Sequence, residues 1–192
     1  SISIYSQGEW ILLPNAPFVQ RNDDGFFVTP EHGWVVNGWG EIWKTSDGGE
    51  NWLKQFNSPT TYFRSVGFID TLTGFAGNLG TEEFGGATDT NLIYKTNNGG
   101  KNWAPVVING EKPRGICGIN VVNKDVIYAV GRVRGPSFFI RSTDGGNTFT
   151  SQNLNNYAAG LLDLYFFNPD TGFILGLSNV THSQSRGLVL KT

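Results

Sequence analysis

Several residue types are scarce in this sequence of 192 residues, and their scarcity excludes several classes of protein. The only cysteine is Cys117, so the chain cannot form a disulfide bond with itself. Charged residues make up 16% of the chain, against roughly 25% in an average soluble domain, and the formal net charge is −2. We therefore expect neither a nucleic-acid partner nor an anionic membrane surface as partner, because both require clustered basic charge.

Long apolar runs and metal-ligand clusters are also missing. No stretch approaches the roughly 20 apolar residues of a membrane-spanning helix, so we expect no transmembrane segment. Methionine is absent and no basic segment precedes a hydrophobic one, so the sequence is expected to be a processed or excised product. The two histidines, His32 and His182, are far apart, and we expect no metal and no cofactor.

Glycine and aromatic residues are abundant instead. The chain has 26 glycines, about twice the usual share of ~7%, and 14% of its residues are aromatic. No window places apolar residues at the 3.6-residue spacing of an amphipathic helix. These features predict an all-β protein with many tight turns.

Three segments of the sequence repeat one another. They read KTSDGGENW at 44–52, KTNNGGKNW at 95–103 and RSTDGGNTF at 141–149. Each lies between two strand-like runs, which predicts a hairpin, and two further runs precede each hairpin. Four antiparallel strands per repeat are typical of a β-propeller blade. A β-sandwich would not explain one such turn in every four strands.

The repeats divide a single propeller domain, 1–192, into four modules. Their approximate bounds are 18–57, 58–109, 110–155 and 156–192. The fourth module has no outer strand, and residues 9–13, with Trp10 in the place of Trp52, are a candidate ring-closing strand. Three arrangements agree with this pattern: the four modules close a small ring, the chain is part of a longer propeller, or two chains complete one ring. We favour an excerpt of a longer propeller or a larger native ring.

The repeated box has a structural interpretation. A short carboxylate at the turn accepts backbone N–H groups, the two glycines allow positive φ, and the aromatic residue packs against the hairpin. The second box has asparagine in place of aspartate, and we expect a weaker turn there. The residues expected in this role are Asp47, Gly48, Gly49, Trp52, Asn98, Gly99, Gly100, Trp103, Asp144, Gly145, Gly146 and Phe149.

The pattern Ser/Thr-x-Asp-Gly-Gly-x-x-Trp resembles the Asp-box, or bacterial neuraminidase repeat. The runs FIDTLTGF at 68–75 and FNPDTGF at 167–173 extend the likeness, which is strongest to the photosystem II stability/assembly factor-like group. This resemblance implies a β-propeller that binds another protein or supports assembly without catalysis. It also implies a periplasmic, lumenal or secreted location.

Asp-boxes also occur in sialidases and some endoglucanases, so a carbohydrate-active module, hydrolase or glycan-binding, is the alternative. The Arg-Ile/Leu-Pro opening typical of sialidases is missing here, since Asn22 follows Arg21. An endoglucanase-like site needs two carboxylates across a cleft. Asp23, Asp24, Asp70 and Asp163 are available carboxylates, but nothing in the sequence pairs two of them, so we expect no enzyme activity.

Three arginines form the candidate partner site. Arg21, Arg64 and Arg114 each precede the predicted first-strand positions of their modules by four or five residues. First strands line the channel of a propeller, so the three guanidinium groups are expected at one channel mouth. Such a patch suits an acidic segment of a partner protein. The alternative is a structural role, in which each arginine pairs with a neighbouring carboxylate or caps a loop.

Overall fold

The computed structural model describes residue 8 and residues 10–81 and 86–192. Within these residues, sixteen strands form four sheets. The first sheet contains β1 (Asn22–Phe27), β2 (Gly33–Asn37), β3 (Glu41–Thr45) and β4 (Leu53–Asn57), and the second contains β5 (Phe63–Phe68), β6 (Gly74–Asn78), β7 (Ile93–Thr96) and β8 (Ala104–Pro105). The third contains β9 (Ile108–Asn109), β10 (Gly118–Val121), β11 (Ile127–Gly131), β12 (Phe138–Ser142) and β13 (Phe149–Asn153), and the fourth contains β14 (Gly160–Asn168), β15 (Thr171–Leu177) and β16 (Gly187–Lys191).

Within each sheet the strands that follow one another along the chain pair in antiparallel fashion. One segment departs from this order, because β9 leaves the second sheet and pairs in parallel with β13 at the edge of the third. The preceding strand, β8, ends at Pro105. Proline has no amide hydrogen with which to extend a ladder.

Helical structure is minimal in the residues that the structure describes. It amounts to one turn of 3-10 helix at His182–Gln184. No described helix is long and apolar enough to cross a membrane.

The hydrophobic core lies between successive sheets. Strand side chains alternate between the two faces of a sheet, so an interior sheet must have apolar residues on both faces. Between the first and second sheets, Trp34 stacks on Phe68 with ring centroids 3.6 Å apart. Both residues belong to one buried cluster that spans the two sheets.

The next two boundaries are built in the same way. One cluster joins the second and third sheets, with Phe75 packed against Phe149, and another joins the third and fourth, with Tyr128 packed against Phe166. The first strands are also neighbours in order, since β1 contacts β5, β5 contacts β10 and β10 contacts β14. Successive four-stranded sheets that stack face to face around their first strands are propeller blades. The all-β propeller predicted from the repeats is therefore confirmed.

Residues 10–13 do not pair with the fourth sheet in the part of the chain that the structure describes. The fourth sheet has three strands, and residues 10–13 of the candidate ring-closing strand lie outside every sheet. Glu9, the first residue of that candidate, lies outside the described residues. Asn15 instead donates to the carbonyl of Glu50 in the first box, which holds the segment against the first sheet.

Candidate functional site

The first box is closed by side-chain acceptors at its turn. The hydroxyl of Thr45 donates to a carboxylate oxygen of Asp47 at 2.9 Å and accepts the amide of Gly49 at 2.8 Å. The same carboxylate accepts the amide of Asn51 at 2.9 Å. These hydrogen bonds, led by those from Asn51, hold the pKa of Asp47 below its usual range.

The third box has more hydrogen bonds at its carboxylate. Asp144 accepts both the amide of Thr148, at 3.0 Å, and its hydroxyl, at 2.7 Å. It also accepts the hydroxyl of Ser142 at 2.7 Å. The pKa of Asp144 lies well below its usual range, chiefly because the Thr148 amide donates to its charged form.

The second box keeps the geometry without the charge. The amide oxygen of Asn98 accepts the hydroxyl of Thr96 at 3.1 Å and the amide of Asn102 at 3.0 Å. The six box glycines all have φ between 69° and 95°, the left-handed region that glycine tolerates best. The aromatic residue that closes each box is half-buried at Trp52 and Trp103 and buried at Phe149.

A lysine of one sheet contacts the box of the next. Lys44 donates to the carbonyl of Gly99 at 3.2 Å, and Lys95 donates to the carbonyl of Gly145 at 2.9 Å. Burial lowers the pKa of both lysines from the ordinary value. Our sequence reasoning missed this role, although both boxes begin with a lysine and the repeat signal was therefore present. Hydrogen bonds between sheets were not visible from the hairpins alone.

Two of the three predicted arginines meet at the start of the first strands. Arg21 forms an ion pair with Asp23 at 2.5 Å and also donates to the hydroxyl of Tyr62. Arg64 donates to the main-chain carbonyl of Asp23 at 3.2 Å. The hydrogen-bonded ion pair with Asp23 raises the pKa of Arg21. The Arg21 side chain nevertheless remains 64% exposed. Asp23 and Tyr62 thus join the site, and no repeated motif marked either of them.

The third arginine lines a surface depression that includes neither Arg21 nor Arg64. Arg114 is exposed and lies four residues before β10, whereas Arg21 directly precedes β1 and Arg64 lies within β5. The three positions are therefore not equivalent in the strands. The depression beside Arg114 is lined by Thr81, Thr90, Leu92, Lys112, Pro113 and Arg114.

The carboxylates considered for glycoside chemistry bind main-chain amides. The two oxygens of Asp24 accept the amides of Gly25 and Val66, each at 2.9 Å, and Asp163 accepts the amide of Leu164 at 2.9 Å. Burial raises the pKa of Asp24, and the charge of Asp163 adds to that effect. The hydrogen bond from Val66 to Asp24 joins the first and second sheets, which is a structural role for this carboxylate.

Among residue 8 and residues 10–81 and 86–192, no group of three or more His, Cys, Asp or Glu side chains is placed to hold a metal ion. The arginine site consists of Arg21, Arg64 and Asp23 at the starts of the first strands, whereas the first box follows the opposite end of its sheet, where Gly33 pairs with Thr45. This arrangement can bind anions or carboxylates by charge and hydrogen bonding.

Comparison with known proteins gives one curated relative and several similar folds. The chain is 26% identical over 186 residues to the photosystem II assembly lipoprotein Ycf48 of Trichormus variabilis. That alignment covers 79% of this chain and 54% of the relative, so the chain spans about half the relative's length. No family model matches the sequence.

Two solved structures share the fold. The GH74 enzyme of Niastella koreensis superposes with a TM-score of 0.63 at 18% identity, over 84% of this chain and 26% of that one. The computationally designed protein Ika4 superposes with a TM-score of 0.63 at 10% identity, over 95% of this chain and 98% of that one. Identities this low establish the fold alone. This chain is a β-propeller that is similar to the photosystem II assembly factor group.

Proposed function

We propose that this chain is a non-catalytic, protein-binding propeller that supports assembly and receives an acidic segment of its partner. The observation that carries the proposal is the convergence of Arg21 and Arg64 on Asp23, at the start of two neighbouring first strands. The similarity to a relative named as an assembly lipoprotein supports a role in assembly. That relative is named a lipoprotein, which favours an extracytoplasmic location for this chain.

An acidic segment fits the charge and geometry of the arginine pair. Guanidinium groups bind carboxylates with two parallel hydrogen bonds, and Arg21 already holds the Asp23 carboxylate. An incoming carboxylate competes with Asp23 for the exposed guanidinium. Arg114 and Lys112 extend the basic surface if the bound segment continues toward their depression.

The proposal assigns no catalytic residue. Asp24 accepts the amides of Val66 and Gly25, and Asp163 accepts the amide of Leu164. Hydrogen bonds of this kind are typical of structural carboxylates. Likeness to the GH74 enzyme is a likeness of fold. Activity on carbohydrates is therefore one of the outcomes that the test below distinguishes.

The test uses labelled synthetic peptides rich in aspartate and glutamate, with peptides of the same length rich in lysine as reference. Fluorescence anisotropy is measured for the parent chain and for Arg21→Gln/Arg64→Gln. The matched control is Arg141→Gln/Arg186→Gln, which removes the same charge from two other exposed positions. Arg114→Gln measures how far the site extends.

We expect the parent chain to bind the acidic peptides alone and the Arg21/Arg64 variant to lose at least about tenfold in affinity, the equivalent of ~1.4 kcal/mol. The control variant keeps the parent affinity. Equal losses of affinity in both variants would mean that net charge alone causes the effect, and would reject the arginine site. Release of reducing sugar from β-glucan or sialoside substrates by the parent chain would reject the non-catalytic function.

A further inference from the structure

The turn between β2 and β3 carries an exposed tryptophan. Trp39 is 53% exposed, whereas Trp34 on the adjoining strand is fully buried. Single exposed apolar residues are ordinary on protein surfaces, so exposure alone does not indicate a binding role for Trp39. Its backbone and its neighbours are what distinguish it.

The backbone of this turn is held in place from both sides. Asn37 is fully buried, and its side-chain oxygen accepts the amides of Trp39 at 3.0 Å and Glu41 at 3.3 Å. Gly40 has a φ of 72°, and a side chain there would meet the main-chain carbonyl of Ser58. The main chain of Trp39 is therefore already ordered, which lowers the entropic cost of using its side chain in binding.

The same turn contributes to the arginine site. The amide of Gly38, the residue before Trp39, donates to the carboxylate of Asp23 at 3.0 Å. A side chain on Gly38 would meet the ring of Tyr62, whose hydroxyl accepts a hydrogen bond from Arg21. Trp39 is thus one residue away from the two groups that hold Arg21, and the Arg21 side chain is itself 64% exposed. An exposed guanidinium and an exposed indole lie at the same end of the first sheet.

The boundary at which this turn lies is built entirely from described residues of this chain. A side chain on Gly40 would also meet the carbonyl of Thr61, in the segment that leads into the second sheet. The hydroxyl of Thr61 donates to the carboxylate of Asp89 at 2.7 Å, and the amide of Asp89 donates to the carbonyl of Thr60 at 2.9 Å. The turn therefore packs between the first and second sheets and is not on the open face of the first sheet.

The hydrogen-bonding groups beside Trp39 favour a carboxylate as ligand. One oxygen of Asp23 pairs with Arg21 and the other accepts the amide of Gly38, so both acceptors are already occupied. The exposed group that remains is a guanidinium, which only donates. A carboxylate only accepts and matches it, whereas sugar hydroxyls need acceptors as well as donors. A cationic side chain would be repelled by Arg21, which leaves an uncharged side chain as the group that suits the indole.

We propose that Trp39 selects partner segments in which a large apolar residue lies next to an acidic one. The acidic side chain binds Arg21, and the apolar side chain packs on the indole of Trp39. Because Gly38 binds Asp23 and Trp39 follows it directly, adjacent residues of an extended peptide, about 3.8 Å apart, span the two groups. This inference rests on the proposed binding of an acidic segment and specifies the second side chain that such a segment carries.

The probes are three labelled peptides of equal length. The first has acidic residues and one phenylalanine beside a central aspartate, and the second has alanine in place of the phenylalanine. The third keeps the phenylalanine and has asparagine or glutamine at every acidic position. By fluorescence anisotropy, we expect the parent chain to bind the phenylalanine peptide about five- to tenfold more tightly than the alanine peptide. The uncharged peptide is expected to bind the parent chain at least about tenfold more weakly than the phenylalanine peptide.

Substitutions at both parts of the site separate their roles. Trp39→Ala is expected to bring the two acidic peptides to within about twofold of each other, and Trp39→Phe, which keeps a ring, to retain most of the preference. Arg21→Gln/Arg64→Gln weakens both acidic peptides by the same factor and leaves their ratio unchanged.

The matched control is Trp10→Ala. Trp10 is 99% exposed and belongs to the segment of Leu13, which contacts Gly49 in the first box, away from the arginine site. This variant also lacks one exposed tryptophan and is expected to keep the parent's preference. Denaturation midpoints of the two alanine variants, expected to match that of the parent chain, separate a lost contact from a lost fold.

Several outcomes would overturn the role of Trp39. Equal binding of the two acidic peptides by the parent chain, with a loss in the arginine variant, overturns this inference and leaves the proposed function standing. A phenylalanine preference that survives Trp39→Ala, or that Trp10→Ala also removes, overturns it as well. Binding of cellohexaose that is lost in Trp39→Ala, without any peptide preference, overturns it in favour of a sugar. Failure of both acidic peptides to bind the parent chain rejects the proposed function itself.

Discussion

The ammonium group of Lys95 donates to the main-chain carbonyl of Gly145 at 2.9 Å, although the two residues belong to different sheets. Lys95 begins the second box, and Gly145 is the glycine corner of the third. The motif therefore acts between blades as well as within its own hairpin. This relationship leads to the first prediction.

Lys95→Met keeps the apolar stem over Phe75 and removes the hydrogen bonds to Gly145 and Asn147. We expect the free energy of unfolding to fall by about 1–2 kcal/mol, because a half-buried carbonyl loses a charged donor. Chemical denaturation measures the change. Lys124→Met, at an exposed position, is expected to change stability by at most about 0.5 kcal/mol. Equal effects of the two substitutions would contradict the role of Lys95.

Asp47→Ala removes the acceptor for Thr45 and Asn51 and is expected to lower the melting temperature by roughly 2–4 °C. Asn98→Ala should have a smaller effect, since its amide oxygen accepts without a negative charge. Calorimetry on both variants checks the order. In the peptide assay, Asp47→Ala keeps the parent affinity, and a loss there would indicate that this corner binds the partner.

The box carboxylates also predict a pH dependence. The pKa values of Asp47 and Asp144 are lower in the folded chain than the ordinary 3.8, so their contribution is present above pH 3.8 and is lost as the pH falls through the folded values. Asp47→Asn/Asp144→Asn, which copies the second box, should be less stable than the parent chain at pH 6. We expect the difference to shrink progressively below pH 3.8, as followed by urea denaturation. A constant difference across this range would contradict the linkage.

Trp34→Ala should be among the most destabilising single substitutions. The ring is fully buried and stacks on Phe68 between two sheets, and its loss leaves a cavity costing about 3–5 kcal/mol. Trp39→Ala, at a position that is 53% exposed, should stay within about 0.5 kcal/mol of the parent chain. Denaturation midpoints compare the two, and a similar loss for both would argue against a core between the sheets.

Asp23→Asn tests the arginine site from the opposite direction. This substitution removes the carboxylate charge that pairs with Arg21, while the one remaining oxygen can still accept the amide of Gly38. We expect acidic peptides to bind about two- to fivefold more tightly, since one competing ion pair is gone. Weaker or unchanged binding in the anisotropy assay would place the peptide away from Arg21.

Much of the fold could be predicted from local pattern. The glycine corner of a box requires positive φ and a neighbouring acceptor, and both needs are met within a few residues of Asp47. The strands around each box follow from short apolar runs that meet at such a corner. Three four-stranded units followed by a three-stranded one then leave a propeller as the natural way to cover both faces of each sheet.

The candidate site was less predictable because it depends on contacts distant in sequence. Arg21 and Arg64 share Asp23 only because β1 and β5 are neighbours in space. Spacing along the chain made Arg114 look equivalent, but bulges near the starts of β1 and β5 and the later start of β10 change the register of the first strands. One residue of register changes which face a side chain occupies.

The sequence by itself determined the box corners, the strand pattern and the repeated four-stranded unit, because these depend on φ preferences and side-chain alternation over a few residues. Only the tertiary structure decided that Lys44 and Lys95 bind the next blade, that Asp23 lies between two arginines and that Leu13 lies against the first box. These contacts depend on how one sheet packs against another, and that geometry is set by the summed packing of many side chains.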